Sequence, residues 1–160
     1  MRNPADKIIL WDEAEGLAAR LHKEGVAIVT TNGCFDLLHL GHFTYLAEAR
    51  RQGSCLWVGL NSDASVKKLK GPKRPILDER TRALQLAALE AVDYITIFNE
   101  QTPEEFLKKV RSQIHAKGGD YKPEDLPEKK VLEKWGGKVV CLALTPGFST
   151  TSLIEKLQTS

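Results

Sequence analysis

His39 and His42 stand three residues apart around Gly41, in the run Asn32-Gly33-Cys34-Phe35-Asp36-Leu37-Leu38-His39-Leu40-Gly41-His42. Imidazoles at that spacing suit one of two chemistries. They can donate hydrogen bonds to a phosphate and stabilise negative charge that develops on it, or they can form half of a metal site. A metal site needs further ligands, and the chain has neither an HExxH pair nor a cysteine cluster. Gly41 removes a side chain where a phosphate would otherwise be crowded, and Gly33 lets the backbone turn or approach a ligand closely. The run follows an apolar β-branched segment and leads into a helical pattern, which puts the histidines at a helix start. Free N–H groups and a partial positive charge there favour an anion. The GxGxxG fingerprint of dinucleotide binding is missing from this turn.

Other segments carry compatible chemistry. Lys67, Lys68, Lys70, Lys73 and Arg74 face the single acid Asp63 between Ser62 and Arg74. Lys67 and Lys68 read as a solvated face. Lys70 and Arg74 flank a Gly-Pro turn in a segment that can fold over a site as a flap, one as a point charge and one as a bidentate phosphate ligand. Asp63 follows a strand and can serve the site or cap a helix. Gly118-Gly119-Asp120 would let a nucleotide approach the backbone, or form a plain turn. Ser149-Thr150-Thr151 opens the last helix as a second phosphate cradle or as simple N-capping.

These residues need a scaffold, and the apolar pattern supplies one. Val26–Thr31, Cys55–Leu60, Tyr94–Phe98, Ile114–Ala116 and Lys138–Ala143 are short continuous apolar runs, as expected of parallel strands covered on both faces. Helical patterns alternate with them. Leu10, Ala14, Leu17, Ala18 and Leu21 share one helix face, and Leu40, Phe43 and Ala47 share another, with Leu46 beside them. Asp78 caps a helix running to about Ala91, Thr102-Pro103-Glu104-Glu105 begins one as a capping box, and the last starts between Ser149 and Ser152. The expectation is an α/β fold: a single-domain, Rossmann-like three-layer sandwich on a five-stranded parallel sheet. Residues 1–25 form an N-terminal helical extension and 26–157 the core. In such sheets ligands bind beyond the carboxyl ends of the strands.

Composition bounds the rest. The chain has 160 residues, 42% hydrophobic and 28% charged, with a net charge of +2, which suits one globular domain and disfavours a nucleic-acid partner. No apolar run reaches membrane-spanning length and the N-terminus has no signal-peptide core, so a cytoplasmic protein with no membrane partner is expected. Its three cysteines, Cys34, Cys55 and Cys141, are expected to be reduced thiols.

The run from Asn32 to His42 resembles the GxFDxxHxGH signature of the cytidylyltransferase-like nucleotidyltransferases. Asn61-Ser62-Asp63-Ala64-Ser65, Lys70-Gly71-Pro72-Lys73-Arg74-Pro75, Lys117-Gly118-Gly119-Asp120-Tyr121-Lys122-Pro123-Glu124 and Ser149-Thr150-Thr151 are similar to the ADP-heptose-forming branch of that superfamily. The resemblance covers nearly the whole chain from Val26 to Leu157. It implies transfer of AMP from ATP to D-glycero-D-manno-heptose 1-phosphate with release of pyrophosphate, for lipopolysaccharide core assembly. His39, His42 and Lys70 would be catalytic. Asn32, Gly33, Cys34, Phe35, Gly41, Arg74, Gly118, Gly119, Asp120, Ser149, Thr150 and Thr151 would join the two histidines in binding ATP. Asp36, Asp63, Lys70 and Arg80 would bind the sugar phosphate, although Arg80 could equally pair with Glu79 or Asp78. Mg²⁺ would ride on the phosphates with no protein ligand. The resemblance also implies a homodimer. The domain is fused to a sugar kinase in many bacteria, and standing alone here it would work with a separate heptose kinase.

The chain departs from the related glycerol 3-phosphate cytidylyltransferases at one point. Their RTxGIST-like run reads Leu144-Thr145-Pro146-Gly147-Phe148-Ser149-Thr150 here, with Leu144 in place of the arginine. That weakens a cytidine substrate and is compatible with ATP. A related cytidylyltransferase acting on glycerol 3-phosphate or another small phosphorylated acceptor is the alternative.

Overall fold

Cys55–Asn61 is buried at all of its positions, and its side chains divide by turns between two cores. Leu56, Val58 and Leu60 pack into one cluster, Cys55 and Trp57 into the other. A strand that must be apolar on both faces is central in a sheet covered twice. The computed structural model describes residues 1–160. In chain order the elements are α1 (Trp11–Lys23), β1 (Ile28–Gly33), α2 (Leu40–Arg51), β2 (Cys55–Asn61), α3 (Asp63–Lys70), α4 (Glu79–Ala87), β3 (Tyr94–Phe98), α5 (Glu104–Val110), β4 (Ile114–Gly118), α6 (Pro127–Leu132), β5 (Lys138–Leu142) and α7 (Thr150–Thr159). The strands form one sheet in the order β3-β2-β1-β4-β5, with every pairing parallel.

The first cluster joins the sheet to α2 and α4 through Tyr45, Leu46, Ala49, Ala83, Leu86 and Ala87. The second joins it to α1, α5 and α6 through Ala14, Ala18, Leu21, Phe106, Leu107, Val110 and Leu132. This is the expected three-layer α/β arrangement on five parallel strands. Residues ahead of α1 reach the sheet too: Ile8 bridges Ile95 in parallel, and Ile9 N–H donates to Ile95 O at 2.8 Å. Burial of each large apolar side chain contributes about 1.5–3 kcal/mol, and both faces of β2 are supplied with them. No helix is long and apolar enough to cross a membrane.

Several sequence expectations shift. β1 starts at Ile28 rather than Val26 and runs through Asn32 and Gly33, which pair with Gly59 and Leu60. The front of the histidine-bearing run is therefore strand, held in register by its neighbour. On α2 the buried face is Tyr45, Leu46 and Ala49, while Leu40 and Phe43 are exposed. Tyr45 decides this: its hydroxyl bonds Thr31 Oγ1 at 2.7 Å and donates to Ala116 O at 2.9 Å, so its ring turns inward with a satisfied polar tip. α4 ends at Ala87 rather than Ala91. Thr102 does not cap α5; Pro103 occupies the N-cap with no side-chain bond, and Glu105 pairs instead with Lys108.

The chain leaves β1 for β2 on one side and later returns to β4 on the other, so the strand order reverses between β1 and β4. A crevice opens at the carboxyl ends of such neighbours, and the site lies there.

Candidate active site

Asp36 organises the turn that follows β1. It is 1% exposed, and its carboxylate accepts from Arg74 Nε at 2.9 Å, from Ile76 N at 2.8 Å and from Leu77 N at 2.9 Å. One buried acid thus pins the segment after α3 against the turn after β1. Arg82 completes the support. It is wholly buried and donates to Cys34 O at 2.7 Å, Asn61 O at 2.8 Å, Leu77 O at 2.9 Å and Asp63 Oδ1 at 2.8 Å. Its fork ties the carboxyl ends of β1 and β2 together, as a guanidinium with several fixed donors can.

On this support the backbone turns sharply. Phe35 adopts φ +45°, in the left-handed region that a non-glycine residue enters at a cost. Its ring lies against Gly33, where a Cβ would fall 2.9 Å from Phe35 Cε2. That ring also contacts His42, with centroids 5.3 Å apart. His39 is the N-cap of α2, and its ring stacks on His42 with centroids 3.9 Å apart. A Cβ at Gly41 would lie 2.9 Å from the His39 ring and 3.1 Å from Phe148 Cβ. Gly41 therefore seats the histidine and the opposite loop, and it lines the cleft as well.

The electrostatics follow from this packing. Burial, then the neighbouring His39, push the His42 pKa down to about 4. Burial lowers the His39 pKa as well. Both shifts favour the neutral rings near pH 7, in keeping with the stacking, since two imidazolium ions at that distance would repel. His42 Nδ1 accepts from the His39 backbone N–H at 3.3 Å. The proton of neutral His42 is then on Nε2, a donor for the cleft. Cys34 is held up as a thiol, chiefly by burial, and is no nucleophile at neutral pH.

The cleft has a volume of about 570 Å³, in the usual range for a small-molecule site. The end of β1 and the turn after it form one wall, from Asn32 to Asp36 with His39, Gly41 and His42. The start of α7 forms another, with Ser149, Thr150 and Thr151. Lys70, Arg74, Lys117 and Gly118 also reach it. Both cradles are helix starts: His42 N–H donates to His39 O and Ser152 N–H to Ser149 Oγ, while the N–H groups of Leu40 and Gly41 and of Thr150 and Thr151 have no partner in the protein. At the second, Ser149 Oγ accepts from Ser152 N at 3.0 Å and Thr150 Oγ1 donates to Leu37 O at 3.1 Å, which leaves the Thr151 hydroxyl without a protein partner. No group of three or more His, Cys, Asp or Glu side chains could hold a metal ion, and Asp36 is fully engaged.

This geometry has relatives. The cytidylyltransferase-like family model matches residues 30–156. The chain belongs to that family. It is a nucleotidyltransferase, with the stacked histidines and both helix starts inside the matched span. The bifunctional protein HldE of Magnetococcus marinus is 47% identical over 153 residues, covering 96% of this chain and 31% of that protein. HldE of Syntrophotalea carbinolica is 50% identical over 151 residues, covering 94% and 31%. HldE of Trichlorobacter lovleyi is 51% identical over 156 residues, covering 98% and 32%. The chain thus spans about a third of the length of these relatives. Among solved structures, the lipopolysaccharide core biosynthesis protein from Thermoplasma volcanium aligns with TM-score 0.63 and 30% identity, covering 76% of this chain and 98% of that one.

Within the nucleotidyltransferase cleft most of the expected residues come together: Asn32, Gly33, Cys34, Phe35, Asp36, His39, Gly41, His42, Lys70, Arg74, Gly118, Ser149, Thr150 and Thr151 line it. Gly119, Asp120, Asp63 and Arg80 do not. Asp120 and Arg80 are exposed. The Asp63 carboxylate is spent on Arg82, and the cap of α3 is Ser62, whose hydroxyl accepts from Ser65 N. Asp36 was expected at the substrate, but its lone pairs are committed to Arg74 and the 76–77 backbone. The segment expected as a flap is half tethered, with Arg74 fixed by Asp36 and Lys70 exposed at the end of α3.

The sequence reading passed over Arg82, Lys117, Tyr45 and Gln101. Lys117 stands at the head of the Lys117-Gly118-Gly119-Asp120 run, which carries the resemblance without giving this lysine a role, and Arg82 also left a trace. It borders the buried stripe of Ala83, Leu86 and Ala87 on α4, but Arg80 borders the same stripe from the other side, so helical spacing does not choose between them.

Proposed function

We propose that this nucleotidyltransferase transfers AMP from ATP to D-glycero-D-manno-heptose 1-phosphate, giving ADP-heptose and pyrophosphate for lipopolysaccharide core assembly in the cytoplasm. The observation that carries the chemistry is the stacked, neutral His39–His42 pair at the start of α2, opening on the cleft at the strand-order reversal. The choice of nucleotide and sugar rests on the sequence resemblance, supported by kinship with HldE and with the Thermoplasma protein, which is named for lipopolysaccharide core biosynthesis.

In this reading an oxygen of the sugar phosphate forms a bond to the α-phosphorus of ATP. The bond from that phosphorus to the α–β bridging oxygen breaks, and pyrophosphate leaves with the electron pair. The attacking oxygen is already ionised at neutral pH, so no general base and no covalent enzyme intermediate are required. Catalysis is positioning and charge stabilisation. His42 donates through Nε2–H to a phosphate oxygen, and His39 supports it from the adjoining stacked position. The first turns of α2 and α7 supply backbone N–H groups. Lys70 and Arg74 offset charge on the leaving pyrophosphate. Mg²⁺ bound to the triphosphate would lower its charge, held by phosphate oxygens and water. A homodimer and a separate kinase supplying the sugar phosphate belong to the same reading.

The test is pyrophosphate release over a panel of nucleotides and phosphorylated acceptors. ATP with heptose 1-phosphate is expected to be the fastest pair. A faster rate with CTP and glycerol 3-phosphate would overturn the substrate assignment. Nucleotide binding without pyrophosphate from any acceptor would overturn the transfer itself.

A further inference from the structure

The cleft contains a cation that the reaction above leaves without a task. Lys117, near the carboxyl end of β4, lines it. Its Nζ donates to Glu128 Oε1 of α6 at 2.9 Å. Glu128 is 3% exposed as a residue, whereas the Lys117 side chain keeps 28% of its surface. Two polar atoms behind this pair are buried without a partner: Glu128 Oε2 and Nε2 of His115. His115 is fully buried and engages Thr30 Oγ1 through Nδ1 at 2.9 Å.

As a device for stability this is poor. Desolvation of a buried ion pair offsets much of its attraction, and an orphaned acceptor adds a further penalty. What the arrangement achieves is to hold a lysine still. A lysine loses rotamer freedom when a ligand orders it, and Glu128 has already ordered this one. An ammonium group has three donors; Glu128 uses one, and the rest are available to a ligand in the cleft. The other cations differ. Arg74 is bonded to a carboxylate that is itself buried, Lys70 is exposed at a helix end, and both histidines are neutral.

The geometry points to Lys117 as a phosphate-binding cation of the reaction, and to Glu128 as the residue that positions it. This rests on the proposed nucleotidyl transfer. The ligand is a phosphate oxyanion, from the nucleotide or from the sugar 1-phosphate, and the two sources separate in the test.

The full chain is compared as wild type, Glu128→Ala, Glu128→Gln and the double variant Lys117→Met with Glu128→Gln. The double variant avoids stranding a buried carboxylate. KM is measured for ATP and for heptose 1-phosphate separately, with melting temperature alongside. The double variant is expected to raise one of the two KM values about tenfold or more, as loss of a charged hydrogen bond does, and the substrate affected identifies the phosphate. Glu128→Ala is expected to raise the same KM several-fold, and Glu128→Gln, which keeps an acceptor oxygen in place, to restore most of it. Both KM values within twofold of wild type in the double variant would overturn the role of Lys117. A Glu128→Ala variant that melts earlier with unchanged KM would overturn the role of Glu128. If wild type releases no pyrophosphate from any pair, the transfer reading fails on its own. Calorimetry with ATP and with heptose 1-phosphate then decides: tenfold weaker binding of one ligand in the double variant sustains Lys117, and unchanged binding of both removes it.

Discussion

The two turns that open the cleft are built differently. After β1, Phe35 is 7% exposed and Asp36 1%, two imidazoles stack, and the wholly buried Arg82 holds the Cys34 carbonyl from below. After β5, Leu144 is 57% exposed and Phe148 45%, and α7 has no buried residue. That second turn is tied down by few contacts, among them Thr150 to Leu37 and Thr44 to Thr145. The contrast follows the chemistry. Donors aimed at a reacting phosphate must be fixed before the ligand arrives, whereas a segment that wraps the rest of a ligand is drawn from the weakly packed end of the structure.

The largest expected effect probes the support of the first turn. Arg82→Met removes the donor from the Cys34, Asn61 and Leu77 carbonyls and unpairs the partly exposed Asp63, so unfolding free energy in urea should drop by about 3–5 kcal/mol, chiefly from the buried acceptors left unmatched. A loss under about 1 kcal/mol would make the two turns equals. His42→Ala should lower kcat for pyrophosphate release by on the order of 10²-fold while the variant still unfolds cooperatively above assay temperature; near-normal turnover would take His42 out of the chemistry.

Acid should act on the same packed region. His42 and His115 each titrate at about 4 in the folded protein, below the ordinary value of 6.5, mainly through burial. Between those values the unfolded chain binds protons that the folded one refuses. Stability therefore declines as pH falls from 6.5 toward 4, and the penalty is complete below that. Urea midpoints at pH values spanning this window should show the decline, and His42→Ala should make it shallower; an equal slope in that variant would place the acid response elsewhere. The smallest effect belongs to the second turn. Phe148→Ala should leave stability within about 0.5 kcal/mol of wild type, and a loss above about 2 kcal/mol would show that this turn is as firmly held as the first.

Periodicity read the fold well because parallel strands buried on both faces leave continuous apolar runs. Even the weak run at Ile114 proved to be β4, at the very place where the strand order reverses. It read α2 badly. Leu40 and Phe43 look like a core stripe but are exposed, and Tyr45, with its polar tip, is the buried anchor. A hydroxyl that finds partners on two strands cannot be told from a solvated one until those strands are placed.

By itself the sequence determined the five parallel strands, though not the helix between the fourth and fifth, and it marked the two helix starts that could receive phosphate, the first of them carrying the His-x-Gly-His element. Those are properties of neighbours along the chain: apolar spacing, caps, and glycines at turns. Tertiary structure alone decided which charges are free. Asp36 and Asp63 are consumed by Arg74 and Arg82, Arg80 is left in solvent while Arg82 is buried two residues away, and Lys117 meets Glu128 from another element. Charges pair by distance in space and by burial, and neither is written in the spacing of residues along a chain.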